Sequence, residues 1–402
     1  MTDFNNILAD RIVNMAESAT LAMARKAREM KAEGIDIISL SIGEPDFKTP
    51  LHIQEAAKAA IDEQKYFGYS PVPGYMDLRE AIAEKLRTEN GIESKAENIV
   101  VSTGAKQSIA NVIISISNPG DEIVILTPYW VSYRDIALFA GAKPVYAEGT
   151  IENDFKVTAA DLDAKITSKT KAILFSSPSN PTGSVFTKEE IEAIVEVMKK
   201  HPNVLIISDE IYEHINYAGR HISIGSYDAV KDRTITVNGF SKGFAMTGWR
   251  IGYISAPVVI AKACEKVQGQ VTSGTNAITQ RAAIVALKSD LGPTKAMKEE
   301  YLKRRDLVLG LLKEIPGVKT YTPSGAFYIF PDISDYFGKS NGSTTINNAS
   351  DLCLYILNEA HVSLVTGEAF GAPNCIRLSY AASEDELKDA VGRIKKVLSE
   401  LS

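Results

Sequence analysis

The chain has 402 residues, enough for two packed cores rather than one. Apolar residues make up 45% and charged residues 23%, and the net charge is −6. That balance is typical of a globular protein and speaks against nucleic acid or an anionic membrane as the main partner. It leaves room for an anionic small molecule, because a pocket can be locally basic.

The N-terminal stretch Met1 to Asp10 has no long apolar run, so no signal peptide is read, and no later run reaches the ~18 residues of a membrane span. Residues 97–102 (ENIVVS) read as a buried strand, followed by a helix from about Lys106 to Ser117. EIVILT (122–127), KAILFSS (171–177), NVLIISD (203–209), TITVNG (234–239) and GYISAP (252–257) are further short β-branched runs, several of them separated by helical stretches. This alternation predicts an α/β fold, a mainly parallel sheet covered by helices on both faces. Beyond it come a charged helix over roughly 294–315, the apolar AFYIFPDI, a helix near 350–360, CIRLSYA and a terminal helix over 384–400. These predict a smaller α+β domain. The division expected is 1–45 as an arm and part of the small domain, 46–295 as the large domain, and 296–402 as the small one. The stretch 338–350 (GKSNGSTTINNAS) reads as a surface loop.

Cys264, Cys353 and Cys375 have neither metal spacing nor a disulfide pattern, which suits reduced thiols in the cytoplasm. The five histidines include no HExxH pair, so no metal site is expected.

Four strand ends carry residues with chemistry. In NGFSKGFAMTGWRIGY (238–253), Ser241 and Lys242 come after an apolar strand, and Arg250 stands eight residues later. A lysine there is ordinarily solvated. Here Gly239, Gly243 and Gly248 would allow close approach of backbone to a ligand, and Ser241 and Arg250 supply donors for a phosphate. In SDEIYEHI (208–215), Asp209 stands at the C-terminal end of a strand, where α/β sheets bind ligands; capping a helix after it is the other use for it. Tyr212 is expected on the same side of that turn. SPSNPTG (177–183) is a turn by composition, with Asn180 in reach of the same edge. In VSTGAKQS (101–108), Gly104, Ala105 and Lys106 open a helix whose N–H groups form an anion site. Trp130, in TPYWVSY (127–133), is either core or a stacking surface for a planar group. A Lys, an Asp, an Asn, a Tyr, an Arg and a helix N-terminus together match a planar, phosphorylated aldehyde with a pyridine nitrogen.

These motifs, with IGEPDF (42–47), GYSPVPGYMDLREAIA (68–83), GAFYIF (325–330) and IRLSYA (376–381), resemble the fold-type I aminotransferases of class I and II. The resemblance spans essentially the whole chain and is strongest to the bacterial-type aspartate aminotransferases. It implies a seven-stranded sheet in the large domain and pyridoxal 5′-phosphate as cofactor. It implies that Lys242 holds the cofactor as a Schiff base, that Asp209 pairs with the ring nitrogen, and that Tyr212 and Asn180 bond the phenolic oxygen. Ser241, Arg250 and the turn at Gly104 and Ala105 would hold the phosphate, and Trp130 would stack on the ring. Tyr69 would reach the phosphate of a neighbouring subunit, which implies a homodimer with shared sites. Arg377 would bind the substrate α-carboxylate with Gly43 over it. Lys106, assisted by Ser18 and Thr20, would meet a side-chain carboxylate.

The implied reaction is transamination of L-aspartate with 2-oxoglutarate. Relatives that use prephenate carry Lys-Pro just before the Ser-Ala-Thr segment, where this chain has Ala16 and Glu17. Aromatic, alanine or prephenate donors, or a lyase or synthase on the same scaffold, are the alternatives. A cofactor-binding regulator would need a DNA-binding domain ahead of IGEPDF, and only about forty residues precede it here.

Overall fold

The computed structural model describes residues 7–13, 15 and 17–402; Ala16 lies outside them. Twelve strands run in chain order among these residues. The first, β1 (Ile38–Ser39), precedes the large sheet, which contains β2 (Ile99–Ser102), β3 (Glu122–Thr127), β4 (Lys143–Glu148), β5 (Thr170–Ser176), β6 (Leu205–Asp209), β7 (Thr234–Gly239) and β8 (Gly252–Ser255). The order across that sheet is β2-β8-β7-β6-β5-β3-β4. All neighbours are parallel except β8, which is antiparallel to both β2 and β7. The sheet therefore has seven strands, six of which point the same way.

Both faces are covered, as the unbroken apolar runs require. Every residue of β3 is buried, and the pleat divides them. Ile123 and Ile125 pack with Ile109, Val112 and Ile113 of the helix Ala105–Ile116. Val124 and Leu126 pack with Ile191, Ile194 and Met198 of the helix Lys188–Lys200. The period-two alternation thus feeds two cores rather than one core and solvent.

The remaining four strands are short: β9 (Tyr328–Ile329), β10 (Val362–Ser363), β11 (Val365–Thr366) and β12 (Ile376–Ser379). Three of them form an antiparallel sheet, β11-β12-β9. The fourth, β10, pairs in parallel with β1. Ile38 and Leu40 accordingly share a core with Tyr301, Leu309, Tyr328, Leu378 and Ile394. The C-terminal helices are Gly292–Leu312, Ala349–Tyr355 and Glu384–Leu398. Among the described residues no helix is long and apolar enough to cross a membrane.

Candidate active site

Because the parallel strands share one direction, β2, β3, β5, β6 and β7 end on one edge of the sheet. Residues at or just beyond those five ends line a single cavity of about 360 Å³. Ala105 and Lys106 stand after β2, Trp130 after β3 and Asn180 after β5; Asp209 ends β6 with Tyr212 just beyond it, and Ser241 and Lys242 stand after β7. Arg377, on β12, closes the cavity from the C-terminal sheet, while Ser18, Thr20 and Gly43 reach it from the N-terminal segment.

Asp209 caps no helix. Residues 211–214 form a turn, and the carboxylate accepts from the Tyr133 hydroxyl at 2.6 Å and the Ile211 N–H at 3.2 Å. Burial pushes the Asp209 carboxyl up to about 6, against the lowering effect of the Tyr133 hydrogen bond. The turn is anchored from behind. Glu210 accepts from Ser223 at 2.6 Å, and Glu213 accepts from Asn90 at 2.7 Å and pairs with buried Lys85. Asp209 and Tyr212 line the cavity, whereas Glu210 and Glu213 do not. Two groups of side chains there, Glu89–Glu213–His214 and Glu210–Glu213–His221, are close enough to gather round a cation. Lys85 already supplies that charge to Glu213.

Lys242 is half-buried, and its ammonium donates to the Gly43 carbonyl. Desolvation pushes it down to about 8; Glu44 opposes this, and Arg377 and Arg250 add to it. A substantial neutral fraction at physiological pH makes Lys242 a competent nucleophile and proton carrier.

Arg377 is 1% exposed and has no carboxylate partner among the described residues. It donates to Asn180 Oδ1 at 2.9 Å and to the Ser41 carbonyl at 2.6 Å, and its guanidinium lies over the Tyr328 ring at 4.5 Å. Its Nε is buried with no partner. A desolvated cation that lines a cavity and has no carboxylate partner is a receptor for an anion.

Arg250 lies across Gly104. A Cβ at Gly104 would stand 2.5 Å from Arg250 Nη2 and displace the guanidinium, and the glycine has φ +85°, a backbone conformation that strains any other residue. Gly43 is similarly obliged, since a Cβ there would overlap the Tyr328 hydroxyl. Gly239, Gly243 and Gly248 do not serve the ligand. The first two are packed against Gly252 and His214, the third faces open space, and none lines the cavity.

Lys106 is an exposed cation 4.9 Å above the Trp130 ring, and partial burial and Arg250 lower its proton affinity. Tyr69, an expected site residue, does not line its own chain's cavity. It is fully exposed and lines a shallow groove with Phe67 and Asn276. Among the lining residues that sequence reasoning missed are Tyr133, Glu44 and Tyr328. The Tyr328 hydroxyl stands 2.6 Å from that of Tyr212.

Residues 35–394 match the family described as Aminotransferase class I and II. This chain is a class I and II aminotransferase. It is 46% identical to a bifunctional aspartate aminotransferase and glutamate/aspartate-prephenate aminotransferase from Petunia hybrida, over 97% of this chain and 82% of that one. An aspartate aminotransferase from Rhizobium meliloti superposes with a TM-score of 0.95 at 41% identity, covering 98% of this chain and 99% of the other. One from Thermus thermophilus with maleate gives 0.91 at 40%, covering 97% and 99%.

Aminotransferases of this kind depend on pyridoxal phosphate, and the donor set fits it. Arg250, Ser241 and Ala105 at the helix start line the same cavity as Asp209, Lys242 and Arg377, and Lys242 is close enough to Asp209, Arg250 and Arg377 to feel their charges. The enzyme therefore exchanges amino and oxo groups between small acids.

Proposed function

We propose that the amino donor is L-aspartate and the acceptor 2-oxoglutarate, giving oxaloacetate and L-glutamate. The supporting observation is a pair of separate cations in one cavity. Arg377 is buried, Lys106 lies over Trp130, both line the cavity with Ser18 and Thr20, and neither has a carboxylate partner among the described residues. Two anion receptors suit a substrate with two carboxylates. The names of the relatives agree: all three are aspartate aminotransferases, and the Thermus structure holds the dicarboxylate maleate.

When bound, pyridoxal phosphate supplies the electron sink that lets a Cα–H bond break. Arg377 would grip the α-carboxylate with its planar fork and so limit rotation about the Cα–N bond, which favours loss of the Cα proton over loss of carbon dioxide. Lys242 would hold the cofactor, and its amine, partly neutral in this pocket, would be the group that takes up and returns the proton lost from the substrate Cα. Asp209 keeps the ring nitrogen protonated. Tyr212 and Asn180 would hold the phenolic oxygen; Ser241, Arg250, Gly104 and Ala105 would hold the phosphate; Trp130 would stack on the ring.

A half-reaction screen of single amino acids tests the substrate. Aspartate and glutamate should convert the enzyme fastest. Lys106→Ala should cost about tenfold or more in kcat/KM for aspartate and little for alanine or phenylalanine. Equal losses would remove Lys106 from recognition of the side chain.

The same reading makes the enzyme a cytoplasmic homodimer in which Tyr69 reaches the phosphate of the opposite site. Its support is the full exposure of Tyr69 beside Phe67, itself 64% exposed, an apolar surface of the kind that subunits bury. Mixing Lys242→Ala chains with Tyr69→Ala chains should create one intact site per heterodimer and raise activity above both parents. Heterodimers no better than Tyr69→Ala would refute sharing. The division into 1–45 with 296–402 as one unit and 46–295 as the other belongs to this reading too, supported by the pairing of β1 with β10.

A further inference from the structure

We infer that Tyr133 is a positioning residue for the reaction, its hydroxyl pinning the carboxylate of Asp209 and its ring setting the plane of Trp130. The inference rests on the proposed pairing of Asp209 with the cofactor ring nitrogen.

Tyr133 lies in the first turn of the helix Ser132–Phe139, just beyond β3, and is 1% exposed. Its ring belongs to the core formed by Ile109, Ile125 and Leu174, a task that phenylalanine would perform as well. The hydroxyl is what that core does not need. A buried phenol must find a partner, and this one donates to Asp209 Oδ2 at 2.6 Å. The Ile211 N–H holds Oδ1 at 3.2 Å. With one donor on each oxygen, the carboxylate cannot turn about its own axis, and its remaining acceptor capacity points along a fixed line. The same tyrosine meets Trp130 edge to face, with ring centroids 5.4 Å apart and an interplanar angle of 85°. One side chain thus braces both the charge at the ring nitrogen and the surface on which the ring would lie.

The hydroxyl also bears on where the proton sits. Burial already raises the proton affinity of Asp209, and the Tyr133 hydrogen bond opposes that rise. Without it, a proton shared between Asp209 and a pyridine nitrogen moves toward Asp209. The contact changes from charge-assisted to neutral, which is the weaker kind.

The test compares Tyr133→Phe, Asp209→Ala and the unaltered enzyme, each loaded with pyridoxal phosphate labelled with ¹⁵N in the ring. A parallel measurement takes the ratio of affinities for pyridoxal phosphate and its 1-deaza analogue. In Tyr133→Phe the nitrogen signal should move toward that of unprotonated pyridine, and the preference for the natural cofactor should shrink about tenfold, as for loss of a hydrogen bond to a charged group. A general loosening of the core would weaken both ligands alike and leave the ratio intact. If Asp209→Ala alters signal and ratio while Tyr133→Phe alters neither, the role of Tyr133 is overturned and that of Asp209 stands. If neither variant changes them, both assignments fall.

Discussion

Lys242→Ala should abolish covalent capture of pyridoxal phosphate and lower transamination by at least about 10⁴-fold, the upper range for a positioned acid–base group. Borohydride reduction followed by mass measurement reads the first effect; a fixed cofactor in the alanine variant would refute the assignment of Lys242. The loss should exceed that of an ordinary base, because the amine has two tasks at one place. In the proposed reaction it holds the cofactor, and later it carries a proton. Its surroundings also set a pH dependence. The neutral amine is the reactive form, and burial brings the ammonium down to about 8. Uptake of pyridoxal phosphate by cofactor-free enzyme should therefore rise about tenfold per pH unit below that value and level off above it. A rise continuing beyond pH 10 would mean an ordinary, solvated lysine.

Arg377→Lys should lower kcat/KM by about 10²-fold or more for every amino acid, aspartate and alanine alike, since all carry the α-carboxylate. Lysine keeps the charge but cannot present a planar fork. It also leaves Asn180 Oδ1 and the Ser41 carbonyl without the donors they now receive, at a buried position where unpaired groups are costly. A poorly fixed carboxylate should raise the share of turnovers that lose carbon dioxide rather than a proton, measurable as labelled CO₂ from 1-¹⁴C-aspartate. A loss confined to aspartate would instead assign Arg377 to the distal carboxylate.

Much of this site was readable in the chain because its groups sit at the ends of strands. Lys242, Asp209, Asn180 and Trp130 each come at or soon after the end of an apolar run, and the common direction of those runs brings them together. The sheet was less complete. Lys143–Glu148 escaped notice as a strand because it is an edge, with exposed ends and a proline near its start, so its residues do not form an apolar run. The reversal of Gly252–Ser255 was not legible either, since a buried strand has the same composition in both directions. Tyr133 stands only three residues from Trp130, and its meaning lies in a partner 76 positions away. Tyr328 was visible within GAFYIF, but only the folded chain shows that its hydroxyl meets Tyr212 and its ring carries Arg377. Gly239 and Gly243 erred the other way: they suggested room for a ligand and instead admit neighbouring backbone and His214.

The pairing of β1 with β10 has a consequence for biogenesis. Ser39 and Ser363 are 324 residues apart in sequence, so Ile38–Ser39 must wait unpaired on the ribosome until nearly the whole chain has emerged. Contacts of such long separation form slowly. The carbonyl of Ser41 that steadies Arg377, and Gly43 beside Lys242, come directly after that strand. The cavity is therefore among the last parts of the molecule to assemble, and a nascent chain stopped before about residue 363 has the large sheet but neither the β1–β10 pair nor Arg377.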